Sequence, residues 1–441
     1  MSASVHSVPE TAKQADPLSH EEIDAVFRSI TVNRLAFAVS GGPDSLALLV
    51  LFNEWAKKSN WNGYFEAFTV DHQLRAGSAE EAEFVKSVCR DLDVSHETLL
   101  WRDKVSSGSV QASARDARYR LLANAMRARD LTALVLGHHL DDQVETFLDR
   151  LTRGSGIYGL GGMSRDNTHG LEGLHLLRPF LGFQKLRLMA SLEERAVSWC
   201  TDPSNEDLGY KRVRLRALAA RLAEEGCPAE RLADTAERMR RASEALMFWL
   251  SDIWQDDVED HPAGPVRMPY RRFARLPTEM RLKLLAQMIL RVTGREAPSR
   301  LKKLEALEAE LHSGGSAKAQ LAGAFVELHD DHIFVWKEAG RNPPDRIALT
   351  DIQNGIWDQR FSVKISGDVS ALDMETLSIG PLLSARGLKV ESPDGWPEGS
   401  FSCAPAIWSK GDLIGSSLPS STLGCPWPQG VIIERVPIEF G

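Results

Sequence analysis

From Leu35 onward, short apolar runs rich in β-formers alternate with longer stretches whose apolar residues recur at helical spacing. Leu35–Val39, Tyr64–Val70, His96–Trp101 and Thr132–Leu136 predict strands; Ser45–Trp55, Ala79–Leu92, Gln111–Ala128 and Asp141–Thr152 predict the helices that follow them. Ser78, with Glu81 three residues on, predicts a capping box at the second helix. Such alternation predicts an α/β fold with a doubly wound parallel sheet, whose ligands gather at the carboxyl ends of the strands.

After Pro203 the pattern becomes helical and dense in Arg from Lys211 to Arg241, and helical again from Pro277 to Leu311 beyond a Pro/Gly-rich break at His261–Pro269. Asn342-Pro343-Pro344 reads as a linker, and the strand-like runs Arg360–Ile365 and Val431–Pro437 lie beyond it. The expected organisation is a loose tail (1–16), an α/β catalytic domain (17–216), a helical domain (217–340) and a small α+β domain (345–441). No apolar run approaches a membrane span.

Composition narrows the class. The chain has 441 residues, 43% hydrophobic and 26% charged, which suits several globular domains. Its five cysteines are an odd number with no C-x-x-C pair and no secretory leader, arguing against a disulfide framework and for the cytoplasm. A net charge of -9 gives no global attraction to polyanions, so a nucleic acid must be held by a local basic surface. Oligomeric state leaves no mark on the sequence; a homodimer is compatible with it.

The chemistry starts where the first strand ends, at Ser40-Gly41-Gly42-Pro43-Asp44-Ser45. Two glycines let backbone approach a phosphate, hydroxyls and amides donate to it, and the following helix N-terminus favours negative charge. Asp44 in that cradle makes sense beside a magnesium ion. The bland alternative is an ordinary strand-to-helix turn. It is not a Walker A loop, because no Gly-Lys-[Ser/Thr] follows. The second strand ends in Val70-Asp71-His72, where Asp71 and His72 could simply cap a turn, and the fourth brings Gly137-His138-His139-Leu140-Asp141-Asp142 to the same rim. Asp142 and Glu145, three apart on a helix, share a face and could hold one hard cation, or could be acids favoured in a first helical turn. Adjacent His138 and His139 point apart, which disfavours zinc. Gly154-Ser155-Gly156-Ile157-Tyr158-Gly159 spells a dinucleotide fingerprint but follows a helix, so it reads as a helix stop and a loop. Arg115 and Arg118 share a helix face and could aim at phosphates, although a solvated charged face is the usual explanation.

The Ser40–Ser45 loop resembles the PP-loop of ATP pyrophosphatases, and the wider motif set resembles the tRNA(Ile)-lysidine synthases. That set adds Val70-Asp71-His72 with Leu74-Arg75, Gln111-Ala112 with Ala114-Arg115 and Arg118-Tyr119, and Gly137-His138-His139 with Asp141-Asp142 and Glu145-Thr146. It continues through Arg153-Gly154-Ser155-Gly156, Arg178-Pro179 and Asp202-Pro203-Ser204-Asn205. After Tyr210 and Arg212 the family usually has Asn; here Val213 stands there.

The resemblance implies ATP on Ser40, Gly41, Gly42, Pro43, Asp44, Ser45, Val70, His72, Gly137 and His138, and Mg2+ on Asp44, Asp142 and Glu145. It implies catalytic roles for Asp44, Arg115, Arg118, Asp142 and Glu145, and weaker tRNA contacts from Arg212, Arg214 and Arg216. The implied reaction adenylates C2 of the wobble cytidine of tRNA(Ile) with a CAU anticodon, after which free lysine displaces AMP to form lysidine. A PP-loop tRNA thiolase is the alternative, but it needs a reactive cysteine or an iron–sulfur site. Cys89 and Cys200 have no cysteine partner near in sequence. A non-catalytic tRNA-binding module would have no need of an acidic face beside a phosphate cradle.

Overall fold

The computed structural model describes residues 15–73, 77–102, 110–201, 209, 211–294, 301–313, 318–340, 343–352, 354–366, 373–384, 392–393, 395–418 and 427–438, with backbone alone at 110–112. Residues 1–14 of the expected tail, Leu74, Arg75, the side chains of Gln111 and Ala112, Asp202–Asn205, Tyr210, Asn342 and Cys425 lie outside the described residues. The chain forms two compact units, 1–244 and 245–441.

The elements of the first unit are α1 (His20–Arg28), β1 (Arg34–Ala38), α2 (Pro43–Lys58), β2 (Tyr64–Asp71), α3 (Ser78–Asp91), β3 (His96–Leu100), α4 (Val110–Ala128), β4 (Ala133–Val135), α5 (Leu140–Thr152), α6 (Ile157–Leu160), β5 (Asp166–Asn167), β6 (His175–Leu177), α7 (Lys185–Glu194) and α8 (Lys211–Glu224). Helix α9 (Ala229–Asp257) contributes residues to both units. The sheet runs β3-β2-β1-β4-β6-β5, parallel except for β5 at the edge. The chain winds outward from β1 to β3 and then returns to β4 on the other side of β1. The β1/β4 gap is therefore the switch point, where the carboxyl ends of two neighbouring strands open a crevice.

The alternation of β1 explains the layering. Leu35 and Phe37 face a core shared with α1, α2 and α7, whereas Ala36 faces a core shared with α4. Ala133 and Val135 of β4 likewise take the first side and Leu134 the second. Phe37 packs on Phe52 and Phe65 with ring centroids 4.8 and 5.5 Å apart. Helix α2 is buried almost all round, including every residue from Ser45 to Phe52, which suits a helix wedged against a sheet.

Three expectations change. Helix α2 starts at Pro43, with Gly42 at its cap, placing Asp44 in the first turn. The Ser78–Glu81 capping box does not form at α3, because Gly77 takes the cap position and Ser78 lies one residue inside. A capping box forms instead at α1, between Ser19 and Glu22. The Lys211–Arg241 segment is two helices, broken at Gly226-Cys227-Pro228, where Gly226 adopts φ +81.

The second unit adds β7 (Glu259–Asp260), β8 (Val266–Pro269), α10 (Tyr270–Ala274), α11 (Thr278–Thr293), α12 (Leu301–His312), β9 (Lys318–Leu321), β10 (Ala324–His329) and β11 (His332–Lys337). After these come β12 (Ile347–Ala348), β13 (Gly355–Trp357), β14 (Phe361–Ile365), β15 (Leu377–Pro381), β16 (Pro405–Ser409), β17 (Asp412–Ser416) and β18 (Val431–Arg435). They form sheets ordered β7-β8-β11-β10-β9, β12-β15-β16-β17 and β13-β14-β18, antiparallel throughout. Helices therefore share the 217–340 region with a five-stranded sheet. One core joins Ala263, Phe334 and Trp336 to Leu382, Trp396, Phe401 and Trp408, so Pro343-Pro344 connects two parts of one packed body.

Candidate active site

The loop after β1 is shaped by small residues. Gly41 adopts φ +84, a left-handed conformation, and a Cβ there would lie 3.3 Å from Val85 Cγ2 and 3.4 Å from Cys200 Sγ. The Ser40 amide donates to Ser45 Oγ (3.1 Å), and Ser45 Oγ donates to the Gly42 carbonyl (3.2 Å). The two seryl oxygens stand 3.3 Å apart. Gly42 caps α2 without a side-chain hydrogen bond, so the first turn keeps its capacity for an anion. Gly137, beyond β4, closes the other wall. A Cβ there would come within 2.9 Å of the backbone of Asp44 and Ser45.

Asp44 projects from this turn, and its Oδ1 is buried with no hydrogen-bond partner among the described residues. Its Oδ2 accepts from Lys185 Nζ at 3.0 Å and lies 3.6 Å from His139 Nε2. Burial alone pushes the Asp44 carboxyl up, but His139 and Lys185 outweigh it and hold the group below the usual aspartate range. The buried His139 ring lies 3.2 Å from Asp141 and 3.4 Å from Asp142 as well. Burial disfavours its charge, yet Asp141, Asp44 and Asp142 together push its pKa up to about 10, so it is an imidazolium at neutral pH. The His139 amide also donates to Asp142 Oδ2 (3.1 Å), and the Lys185 amide donates to Asp141 Oδ2 (2.9 Å), tying α7 to the start of α5.

The three carboxylates expected to share a metal do not converge. Among the described residues no group of three His, Cys, Asp or Glu side chains forms a metal-ready cluster. Asp44 and Asp142 flank one His139 nitrogen, and the orphaned Asp44 Oδ1 is a fitting contact for a cation. Glu145 turns elsewhere: Arg216 Nε donates to its Oε1, and Arg212 Nε stands 3.5 Å from its Oε2. Burial pushes the Glu145 carboxyl up, and Arg216 only partly offsets this. Arg216 occupies Oε1, while Oε2 is buried with no hydrogen-bond partner among the described residues.

The remaining expected residues spread along the rim. Asp71 accepts from the Gln73 amide (2.9 Å), which is the turn-capping role. His72 lies 3.3 Å from Arg118 Nη2 and stacks edge-on to Trp101, and burial followed by Arg118 lowers its pKa. Val70 packs with the α4-side core. Arg115 is exposed with its guanidinium over Tyr119. His138 accepts from Arg178 Nε (3.3 Å), and burial lowers its pKa against the pull of Asp142. Of the α8 arginines, Arg212 and Arg216 face Glu145, while Arg214 donates to the Gly209 carbonyl. Lys185 lies in no motif, and Cys200, weighed above only as a thiolation cysteine, donates its amide to the Gly41 carbonyl (2.9 Å). The Gly154–Gly162 stretch contains the helical turn α6, held by Arg150 Nη1 on the Gly159 and Gly162 carbonyls (2.6 and 2.9 Å).

Residues 16–222 match the family model described as PP-loop domain. The tRNA(Ile)-lysidine synthase of Rhodopseudomonas palustris is 39% identical over 68% of this chain and 89% of its own length. That of Wolbachia pipientis is 34% identical over 88% of this chain and 89% of its own, and that of Ruegeria pomeroyi 35% over 89% and 90%.

Proposed function

The chain belongs to the tRNA(Ile)-lysidine synthase family, and from that premise we propose that it joins lysine to C2 of the wobble cytidine of tRNA(Ile) bearing a CAU anticodon, using ATP. The observation that carries the chemistry is the phosphate-shaped loop Ser40–Ser45, with a buried, half-unpartnered carboxylate at Asp44. In the first step the cytidine O2 attacks the α-phosphorus of ATP and pyrophosphate leaves. The cradle holds the leaving group where its charge develops. In the second step the lysine amine attacks C2 and AMP leaves.

Asp44 and Asp142 would hold a magnesium ion, which when bound supplies charge neutralisation at the triphosphate. Lys185 and the His139 imidazolium keep Asp44 ionised and oriented. Arg115 and Arg118 on α4 would clamp the adenylate or the RNA. Lysine arrives chiefly as an ammonium, with only about one molecule in a few thousand neutral at pH 7, so deprotonation belongs to the second step. Glu145 serves as an anchor for α8, with Arg212 and Arg216 within reach of RNA when that helix engages it. The setting for this reaction is the cytoplasm.

The test is incubation of the full chain with tRNA transcript, ATP and labelled lysine, followed by nucleoside analysis. Lysidine with stoichiometric AMP is expected. Modification that follows a sulfur donor and disappears in Cys200→Ser would overturn the reading in favour of thiolation.

A further inference from the structure

Two cations lie against the carboxylate of the phosphate loop, and they are held very differently. His139 is enclosed: its side chain is 3% exposed and faces Asp44, Asp141 and Asp142 together. Its charge is taken up by three acids. Lys185 Nζ donates to Asp44 Oδ2 at 3.0 Å, and its side chain remains 33% exposed. An ammonium carries three donors on a flexible four-carbon stem, so one bond to Asp44 leaves it able to turn toward another anion.

The backbone beneath this side chain is fixed. Lys185 is the first residue of α7, and its amide donates to Asp141 Oδ2 at 2.9 Å. Two residues earlier the Phe183 carbonyl accepts from the Leu140 amide (2.8 Å), and Leu188 and Leu192 of α7 are buried in the core shared with α2. The ammonium is thus carried to the first turn of α2 on a rigid mount, and only its side-chain torsions remain free. That turn offers neutral donors, the seryl hydroxyls and the amides of a helix start, together with one acid, Asp44, which repels a polyphosphate. A cation seated on Asp44 offsets the repulsion. A phosphate beside the turn brings it more negative charge and more acceptor oxygens than one carboxylate.

We propose, resting on the ATP reading of Ser40–Ser45 above, that Lys185 is a phosphate-binding residue of this loop: its ammonium turns from Asp44 to the pyrophosphate end of ATP and holds the leaving group. In that step the bond from cytidine O2 to the α-phosphorus forms as the bond from that phosphorus to its bridging oxygen breaks. Pyrophosphate departs with the electron pair, and Lys185 donates hydrogen bonds to it while keeping its own proton.

The test is calorimetric titration of the full chain with inorganic pyrophosphate and, separately, with AMP, in metal-free buffer. Lys185→Met, which keeps the apolar stem, should weaken pyrophosphate binding about tenfold to a hundredfold and leave AMP nearly unchanged, because the ammonium serves only the departing end. Equal loss for both ligands would mean that Lys185 merely shapes the loop, and would overturn the proposal, as would unchanged pyrophosphate affinity. Reductive methylation of the wild-type chain decides the matter even if the variant fails to fold. Pyrophosphate should protect Lys185, read on its peptide by mass spectrometry, and AMP should not; methylation indifferent to pyrophosphate overturns the assignment. A wild-type chain that binds no pyrophosphate would remove the ATP reading as well, whereas binding that does not depend on Lys185 removes this inference alone.

Discussion

The loop that carries Asp44 was legible because its six residues are consecutive; the groups that surround Asp44 were not. Lys185 lies 141 residues along the chain, and no spacing rule connects the two. Asp44→Asn should abolish pyrophosphate release, and because it leaves Lys185 and the buried His139 without their shared carboxylate it should also lower the melting temperature, so release is measured on the folded protein. Near-normal turnover in magnesium would count against the site. Asp142 and Glu145 looked alike in sequence, three apart on one helix, but the structure separates them by the partners each meets. Asp142→Asn should therefore raise the magnesium concentration needed for half-maximal AMP formation. Glu145→Gln should leave that concentration unaltered and instead loosen α8, costing about 1–3 kcal/mol, because both arginines reach solvent and the pair is not fully buried. Magnesium titration with exchange protection of Lys211–Glu224 distinguishes the two.

At the scale of elements, every expected strand and helix of the α/β region appeared, because period-two and period-3.6 patterns are strong where one face is buried. Helix starts were less legible: α2 begins at Pro43 behind Gly42 rather than at Ser45, and Gly77 rather than Ser78 caps α3. The β4–α2 junction gives a sharp test. Gly137→Ala would place a methyl group 2.9 Å from the Asp44 and Ser45 backbone, and overpacking of this kind costs about 1–3 kcal/mol. ATP affinity by equilibrium titration should fall while the far-ultraviolet circular dichroism is retained. In the second unit, His261 lies edge-on to Trp396 and Phe401, and burial lowers its pKa. Its unfolded form takes up a proton first, so the stability it contributes is present above about pH 6.5 and lost as pH falls below that value. Melting of this unit between pH 6.5 and 5.5 should decline more steeply in the wild type than in His261→Gln.

For the whole molecule, composition and Pro-Pro punctuation suggested a break near residue 343, whereas the aromatic core crosses that point. A chain cut there leaves Phe334 and Trp336 without Trp396, Phe401 and Trp408 and should expose apolar surface, seen as dye binding and aggregation. A chain ending at Asp257, where α9 ends, should keep ATP binding and bind tRNA more weakly than the full chain through the α8 arginines that remain, measured by filter binding at several ionic strengths. Retention of full tRNA affinity by that fragment would place the RNA surface wholly in the first unit. The reach of the Asp44–Lys185 pair and of the Cys200–Gly41 hydrogen bond also has a meaning in time. A ribosome adding roughly 5–20 residues per second delivers the phosphate loop early and its closing partners roughly 7 to 30 seconds later. During that interval the nascent loop lacks both Lys185 and the Cys200 amide, so Asp44 and the Gly41 carbonyl meet these partners only after the later segment has emerged.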